Sequence, residues 1–310
     1  MSRNWWAIGT YLPECIVSNH DIHEEIPEFS EDYSRSKLGI ETRHIAKDES
    51  CVEMALSAVD DLKKQGVLID DTDLLILVTQ TPDYPLPSMS CILQDRLSLG
   101  SDTICFDVNM GCSGYVYALS IAYSYLRSSL ADNALVVTCE RYSKYIKKDD
   151  YSNRGIFGDG ATATYLTKDM IEHVRDFSFF TDGSGYENII VPDLDTGFKM
   201  DGPKVMSFAI KRIPKMIKEI LIKAGVDKDE IDYYVFHQGN EYMLKTIQHR
   251  LGIEDDKMVF SLMRSGNTVS SSIPLAIADL MMNDKLSEGR VLLLCGFGVG
   301  LSAAGVIITC

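Results

Sequence analysis

The chain carries two similar copies of one unit, and this constrains its fold more than any other feature. DLLILVTQTPDY (73–84) reads like EIDYYVFHQGNEY (230–242): an acidic start, an apolar strand, then a polar turn ending in acidic-Tyr. DRLSLGSDTICFDVNMGC (95–112) reads like HRLGIEDDKMVFSLMRSGN (249–267), with Phe in the strand and Gly before a polar residue. LVVTCERY (135–142) reads like VLLLCGFG (291–298). Gln80 falls on Gln238, Cys112 on Asn267 and Cys139 on Cys295, offsets of 158, 155 and 156. Three matches in one order at nearly one offset imply a duplicated βαβ-rich unit. Each copy alternates strand and amphipathic-helix patterns, which predicts an α/β fold of sheets with helix layers. The boundary is expected near 165–175, giving halves 1–168, with the candidate nucleophile, and 169–310, with the candidate His and Asn.

The duplication also settles the C-terminal run. VLLLCGFGVGLSAAGVIITC (291–310) is 20 residues without a charge, long enough to cross a bilayer, and Gly296 and Gly300 form a GxxxG. Its β-branched ends and four glycines instead favour two strands joined by a turn, and its copy in the first half is an ordinary strand. No membrane segment is expected. A net charge of −15 works against nucleic acid or anionic membrane as a partner unless a strong basic patch overrides it. The start, MSRNWWAIGTYLPE, lacks a charged region followed by an apolar one, so no secretory signal is expected. The eight cysteines include no CxxC, and most lie in apolar runs. A cytoplasmic protein with reduced thiols is the expectation.

Pseudo-twofold halves place equivalent strand ends side by side. Cys112 and Asn267 should therefore approach each other, with HQGN (237–240) leaving a neighbouring strand end, where ligands of α/β folds bind. Cys112 lies in GCSG, where the strand pattern TICFDV turns directly into helical YVYALSIA. A thiol at a helix N-terminus faces free N–H groups and the positive end of the dipole. That is worth up to about 2 kcal/mol, or roughly one pKa unit toward thiolate, and makes Cys112 the expected most reactive thiol. The flanking glycines allow a tight elbow whose amides also hold an oxyanion. Taken singly, Cys112 reads equally as a small core residue, and His237 and Asn267 as structural polar residues. Their convergence carries the reading, because two neutral donors beside a thioester carbonyl stabilise an enolate. The sequence has no Cys/His zinc spacing and no GxGxxG opening a helix.

DVNMGCSGYVYAL, FGDGATA (157–163), HQGN and SGNTVSSSIPLA (265–276) together resemble ketoacyl-acyl-carrier-protein synthase III of the thiolase superfamily. GIETRHIA (39–46) and GFGVG (296–300) extend the resemblance over nearly the whole chain. It implies a thiolase-like five-layer αβαβα fold, a homodimer and the catalytic triad Cys112, His237 and Asn267. Elongating ketoacyl synthases have a second His in place of Asn267, and chalcone-type synthases, which share the triad, are longer. The resemblance further implies that Cys112 takes an acyl group from acyl-CoA. Malonyl-acyl-carrier protein is then decarboxylated beside His237 and Asn267, and the enolate attacks the acyl-Cys. The backbone N–H groups of Cys112 and Val299 would form the oxyanion hole. No metal or redox cofactor is implied.

Several positions depart from the family pattern. Tyr33 and Lys37 stand where members that load from coenzyme A usually have Trp and Arg, and Arg154 matches another coenzyme-facing Arg. Pro203 replaces a polar residue in MDGPKVM, which ends at Met206, an expected substrate contact. Gly239 replaces Ala and is followed by Asn240, a further expected contact. Tyr242 replaces an Arg that docks the carrier protein. Leu86, in TPDYPLPSMS, matches a residue, commonly Phe, that crosses the twofold axis to close the partner's acyl pocket. The smaller side chain leads one to expect a deeper pocket and a medium-length or branched donor. Lys211, Arg212, Lys215 and Lys218, with Lys245 and Arg250, are candidates for docking an acidic carrier. Three alternatives stand beside condensation: acyl transfer to a non-malonyl acceptor, a cysteine hydrolase, or an inactive subunit of a heterodimer.

Overall fold

The computed structural model describes residues 6–310; the reading of the first residues as leaderless falls partly on 1–5, outside the described residues. The first sheet contains β1 (Trp6–Tyr11), β2 (Leu74–Val78), β3 (Ile104–Val108), β4 (Asn133–Glu140) and β5 (Gly160–Thr167). Their order is β1-β5-β4-β2-β3. Strands β4, β2 and β3 run parallel, and β5 and β1 close the sheet antiparallel. β2, LLILV, is buried throughout, as expected of a central parallel strand covered on both faces.

The second sheet contains β6 (Val174–Thr181), β7 (Tyr233–Phe236), β8 (Val291–Gly298) and β9 (Ser302–Thr309), in the order β6-β9-β8-β7. Strand for strand this repeats the first sheet, lacking only the counterpart of β3. The sequence predicts that strand in DKMVF, but Met258 meets Tyr234 only through an isolated bridge. The cause is local. The Gln238 side-chain amide donates to the Val259 carbonyl and accepts from the Ser261 N–H, taking backbone groups that would extend a ladder. The charge-free C-terminal run is β8 and β9, paired antiparallel around a turn at 299–301. No helix among the described residues is long and apolar enough to cross a membrane.

The helices form three layers. α1 (Cys51–Lys64) and α2 (Met89–Arg96) cover the outer face of the first sheet, burying Met54, Leu62 and Leu93. α3 (Gly114–Arg127) lies between the sheets with the later helix α6 (Ser272–Met282), burying Val116, Leu119, Ile273 and Ile277. α4 (Gly202–Ala224) and α5 (Glu241–Leu251) cover the outer face of the second sheet, burying Ile213, Met216, Ile220 and Leu244. The result is αβαβα. Helix starts follow their caps: Ser50 with Glu53 forms a capping box at α1, Asn240 caps α5, and Pro203 opens α4. α3 and α6, each entered through a short 3-10 turn (111–113 and 269–271), are the pseudo-equivalent central pair. Cys112, inside the first turn, and Asn267, two residues before the second, line one cavity.

Candidate active site

Cys112 is placed by tight packing at its turn. Gly111 has φ +51, and a Cβ there would fall 2.3 Å from Gln80 Oε1; only glycine fits such a site. On the other side, a Cβ on Gly298 would lie 2.8 Å from Cys112 Sγ. Backbone hydrogen bonds from Cys112 itself and from Val299 reach the thiol. Val299 is not among the residues with positive φ, which here include Gly298, Gly300 and Leu301. A valine therefore presents its N–H without strain.

His237 follows β7 directly, and its N–H donates to the Cys295 carbonyl of β8 (2.9 Å). The ring is buried, with its edge against Phe297, and its Nδ1 lies 2.8 Å from Ser272 Oγ. Ser272 Oγ also accepts the Gln238 N–H. Asn267 is clamped by residues 156–158, where FGDGATA begins: its N–H donates to the Ile156 carbonyl (2.9 Å), and its carbonyl accepts from Gly158 N–H (3.1 Å). Asn267 Oδ1 accepts the Val269 N–H (2.9 Å), which leaves the amide NH2 as the free end. Val269 has φ +54, strained for a β-branched residue, and its backbone hydrogen-bonds the His237 ring.

These three residues line one cavity of about 50 Å³, together with Gly239, Asn240, Phe157, Val205, Phe297, Val299 and others. A larger cavity of about 500 Å³ adjoins it, sharing Ile156, Met200, Val205, Asn240 and Met243. Tyr33, Lys37, Pro203, Met206 and Tyr242 line this outer cavity, which joins the Cys112 cavity through those shared residues. Tyr33 and Tyr242 are 58% and 56% exposed at its rim. A Cβ on Gly239 would stand an ordinary 3.5 Å from the His237 ring, so the loss of Ala there leaves His237 undisturbed.

Two residues lie elsewhere. The Arg154 guanidinium pairs with Glu25 (2.7 Å) and lines a separate cavity with Arg43 and Lys148. Leu86 is 84% exposed in the lone chain. On α4, Arg212 is drawn to Glu219 and the Phe180 ring. Lys245 pairs with Glu241, and Arg250 donates to the Ile210 carbonyl.

The electrostatics revise one expectation. Burial pushes the Cys112 thiol up to about 12, against the pull of the two N–H groups. Desolvation outweighs the pull of the helix terminus, so the thiol is held in its neutral form, against the shift toward thiolate that the terminus alone suggests. Burial lowers His237 to about 4, so its imidazole is neutral. Three residues near the site went unnoticed in the sequence. Ser272 partners His237. Glu140, raised by burial to about 8, is held by Ser270 Oγ–H and the Gln80 N–H. Tyr142 lines the Cys112 cavity. A signal existed for Tyr142, because the repeat sets it on Gly298, the residue against the thiol.

Two duplicated α/β halves, with a thiol, an imidazole and a carboxamide converging on one cavity at their strand ends, define a thiolase-fold acyl-transferring enzyme. The family model for 3-oxoacyl-[acyl-carrier-protein] synthase III matches residues 106–183, and that for its C-terminal region matches 221–310. The chain is 36% identical to β-ketoacyl-[acyl-carrier-protein] synthase III of Clostridium novyi, covering 97% of this chain and 96% of that protein. It is 33% identical to that of Neisseria gonorrhoeae, with 97% of each covered. The crystal structure of β-ketoacyl-[acyl carrier protein] synthase III from Thermus thermophilus superposes with a TM-score of 0.93 at 30% identity, covering 98% of both chains. The chain belongs to the 3-oxoacyl-acyl-carrier-protein synthase III family and is a condensing enzyme.

Proposed function

We propose that the chain condenses an acyl group, loaded from acyl-CoA, with malonyl-acyl-carrier protein to give a 3-oxoacyl thioester in fatty-acid or related acyl biosynthesis. The observation that carries this is the shared cavity of Cys112, His237 and Asn267, joined to the outer cavity. In the first step Cys112 Sγ attacks the thioester carbonyl, the departing coenzyme A thiolate takes the thiol proton, and the N–H groups of Cys112 and Val299 hold the oxyanion. In the second step the malonyl thioester carbonyl accepts from the Asn267 amide and His237 Nε2–H. The Ser272 hydroxyl faces Nδ1, and this role requires the tautomer that carries the ring proton on Nε2. Carbon dioxide departs, its bonding electrons form the enolate, and the enolate carbon attacks the acyl-Cys, returning the Cys112 thiolate, which regains a proton. These donors stabilise the enolate without a metal or redox cofactor.

A hydrolase would ask His237 to take a proton from Cys112. An imidazole held near 4 beside a thiol near 12 is a poor acceptor. Tyr33 and Lys37 at the rim suit an adenine ring and a phosphate. Lys211 and Lys218 continue along α4 from the outer cavity, about 8 and 18 Å beyond Met206 at helical rise, and offer a dock for an acidic carrier. The open edge of β3 and exposed Leu86 suit pairing with a second copy, as a homodimer of two-half subunits (1–168 and 169–310). A cytoplasmic location with reduced thiols fits the eight free cysteines. Intact-protein mass spectrometry after incubation with a panel of acyl-CoA thioesters tests the reading. The expected result is one acyl group, on Cys112, discharged only when malonyl-carrier protein is added. Discharge to free acid without malonyl thioester would indicate a hydrolase, and absence of any adduct an inactive subunit.

A further inference from the structure

Tyr142 lines the Cys112 cavity and a second cavity beside it. At about 50 Å³ the Cys112 cavity is small. An apolar cavity of about 150 Å³ holds benzene, so a third of that accommodates an acyl group of two or three carbons. The second cavity, of about 340 Å³, is lined by Gln80, Asn109, Tyr145, Leu194 and Phe198 among others. The two cavities share Tyr142, Ile189 and Val299, and of these the tyrosine ring is the largest barrier.

The ring is held on both its apolar and its polar side. It stacks on Phe157 at 5.3 Å and meets the edge of Phe198 at 5.6 Å. Its hydroxyl donates to Gln80 Oε1 at 2.5 Å, and Gln80 Nε2 donates to Asn109 Oδ1 at 2.7 Å. The Gln80 backbone is in turn fixed by Glu140 (3.0 Å). Burial raises the phenol well above its usual pKa, so the hydroxyl remains a donor throughout the working pH range. Gly111 completes the latch, since any side chain there would collide with Gln80.

We propose that Tyr142 is the chain-length gate of this enzyme: latched on Gln80, its ring confines the acyl group on Cys112 to two or three carbons, and its removal joins the pocket to the second cavity. The proposal rests on the acyl-Cys112 reading above. It runs against the longer donor that Leu86 suggests, because the stop belongs to the chain that carries the nucleophile. Tyr142→Leu and Tyr142→Ala remove the ring. Tyr142→Phe and Gln80→Leu keep the ring but remove the latch.

The test is the rate at which Cys112 is acylated by acetyl-, propionyl-, hexanoyl- and octanoyl-CoA, read by intact mass, with circular dichroism as the check on folding. The unaltered protein should load acetyl and propionyl well and octanoyl poorly. Tyr142→Ala should raise the octanoyl-to-acetyl ratio at least about tenfold, in line with one to three kcal/mol for a small change in pocket size. Tyr142→Phe and Gln80→Leu should raise it less, and by similar factors. A folded Tyr142→Ala and a folded Tyr142→Leu that both keep the original ratio overturn the gate. Unchanged ratios in both Tyr142→Phe and Gln80→Leu overturn the latch. Failure of every donor to acylate any variant and the unaltered protein alike would instead overturn the acyl-Cys112 reading itself.

Discussion

The two halves share a strand order and a central helix entered through a 3-10 turn, yet they put different chemistry at the equivalent place. In the first half the turn carries Cys112; in the second it is preceded by Asn267. The first is packed between Gly111 and Gly298 so that backbone N–H groups reach the sulfur. The second is clamped by backbone bonds to Ile156 and Gly158, which come from the first half. A duplicated scaffold thus supplies two facing positions, each braced by the opposite copy; in the proposed mechanism the first makes the bond and the second stabilises charge. The comparison predicts a division of labour: changes at the first position stop loading, and changes at the second stop decarboxylation.

The largest effect belongs to Cys112. Cys112→Ala should abolish acyl loading with the fold retained, measured by intact mass and circular dichroism. Loading at undiminished rate would end the comparison. With iodoacetamide at neutral pH, exposed Cys91 should react ahead of buried Cys112, reversing the order that the helix terminus alone suggests. Next come His237→Ala and Asn267→Ala. Each should still take up an acyl group, while malonyl thioester decarboxylation falls by about 10²-fold or more per lost donor. Parallel loss of both steps would merge the two roles.

The pH dependence sharpens the same point. Burial disfavours the imidazolium, so the His237 pKa moves down, to about 4. The ring is neutral at all higher pH, and decarboxylation should show no acid limb near 6.5, holding level to about pH 5. A limb at 6.5 would mean that burial does not hold the ring down. Ser272→Ala removes only the hydroxyl that faces Nδ1. One such hydrogen bond is worth about 1 kcal/mol, so decarboxylation should fall severalfold with loading unaffected. A loss confined to loading would show that Ser272 supports the fold around Cys112 and not the ring.

The convergence of Cys112, His237 and Asn267 on one cavity was legible because they sit at strand ends fixed by the repeat and by motifs local in sequence. That Tyr33, Lys37 and Met206 lie together on one cavity was legible only through the family resemblance, since they sit in separate helical segments. Ser272 and Glu140 were not: each acts through partners dozens to more than a hundred residues away, contacts that no local pattern encodes. Glu140 looks like the end of a strand until its carboxylate is seen gathering Gln80 and Ser270. The missing strand at Met258 was misread because one side chain, Gln238, diverts its backbone groups, and propensity does not register that. The upward push of burial on the Cys112 thiol was not legible, because a helix terminus is visible in sequence whereas complete burial is not.

The smallest effect concerns Leu86, where the comparison extends to a second copy of the chain. A leucine 84% exposed at the tip of a proline-rich loop gains little unless something covers it. The loop is braced from behind: the Lys144 ammonium donates to the carbonyls of Thr81 and Pro82, and the Gln80 N–H donates to Glu140. It is therefore held out from the surface and does not fold back over it. The first half would then lend its partner an apolar cap, just as it lends its own second half the clamp on Asn267. If Leu86 closes the partner's pocket from outside while Tyr142 floors it from within, Leu86→Phe should move donor preference a few-fold from propionyl toward acetyl, with the dimer intact by light scattering. Tyr142, the nearer barrier, should dominate, so Leu86→Phe in a Tyr142→Ala background should have a larger effect than in the native chain. An unchanged preference with a weakened dimer would make Leu86 a subunit contact only, leaving chain length wholly to residues of the same protomer.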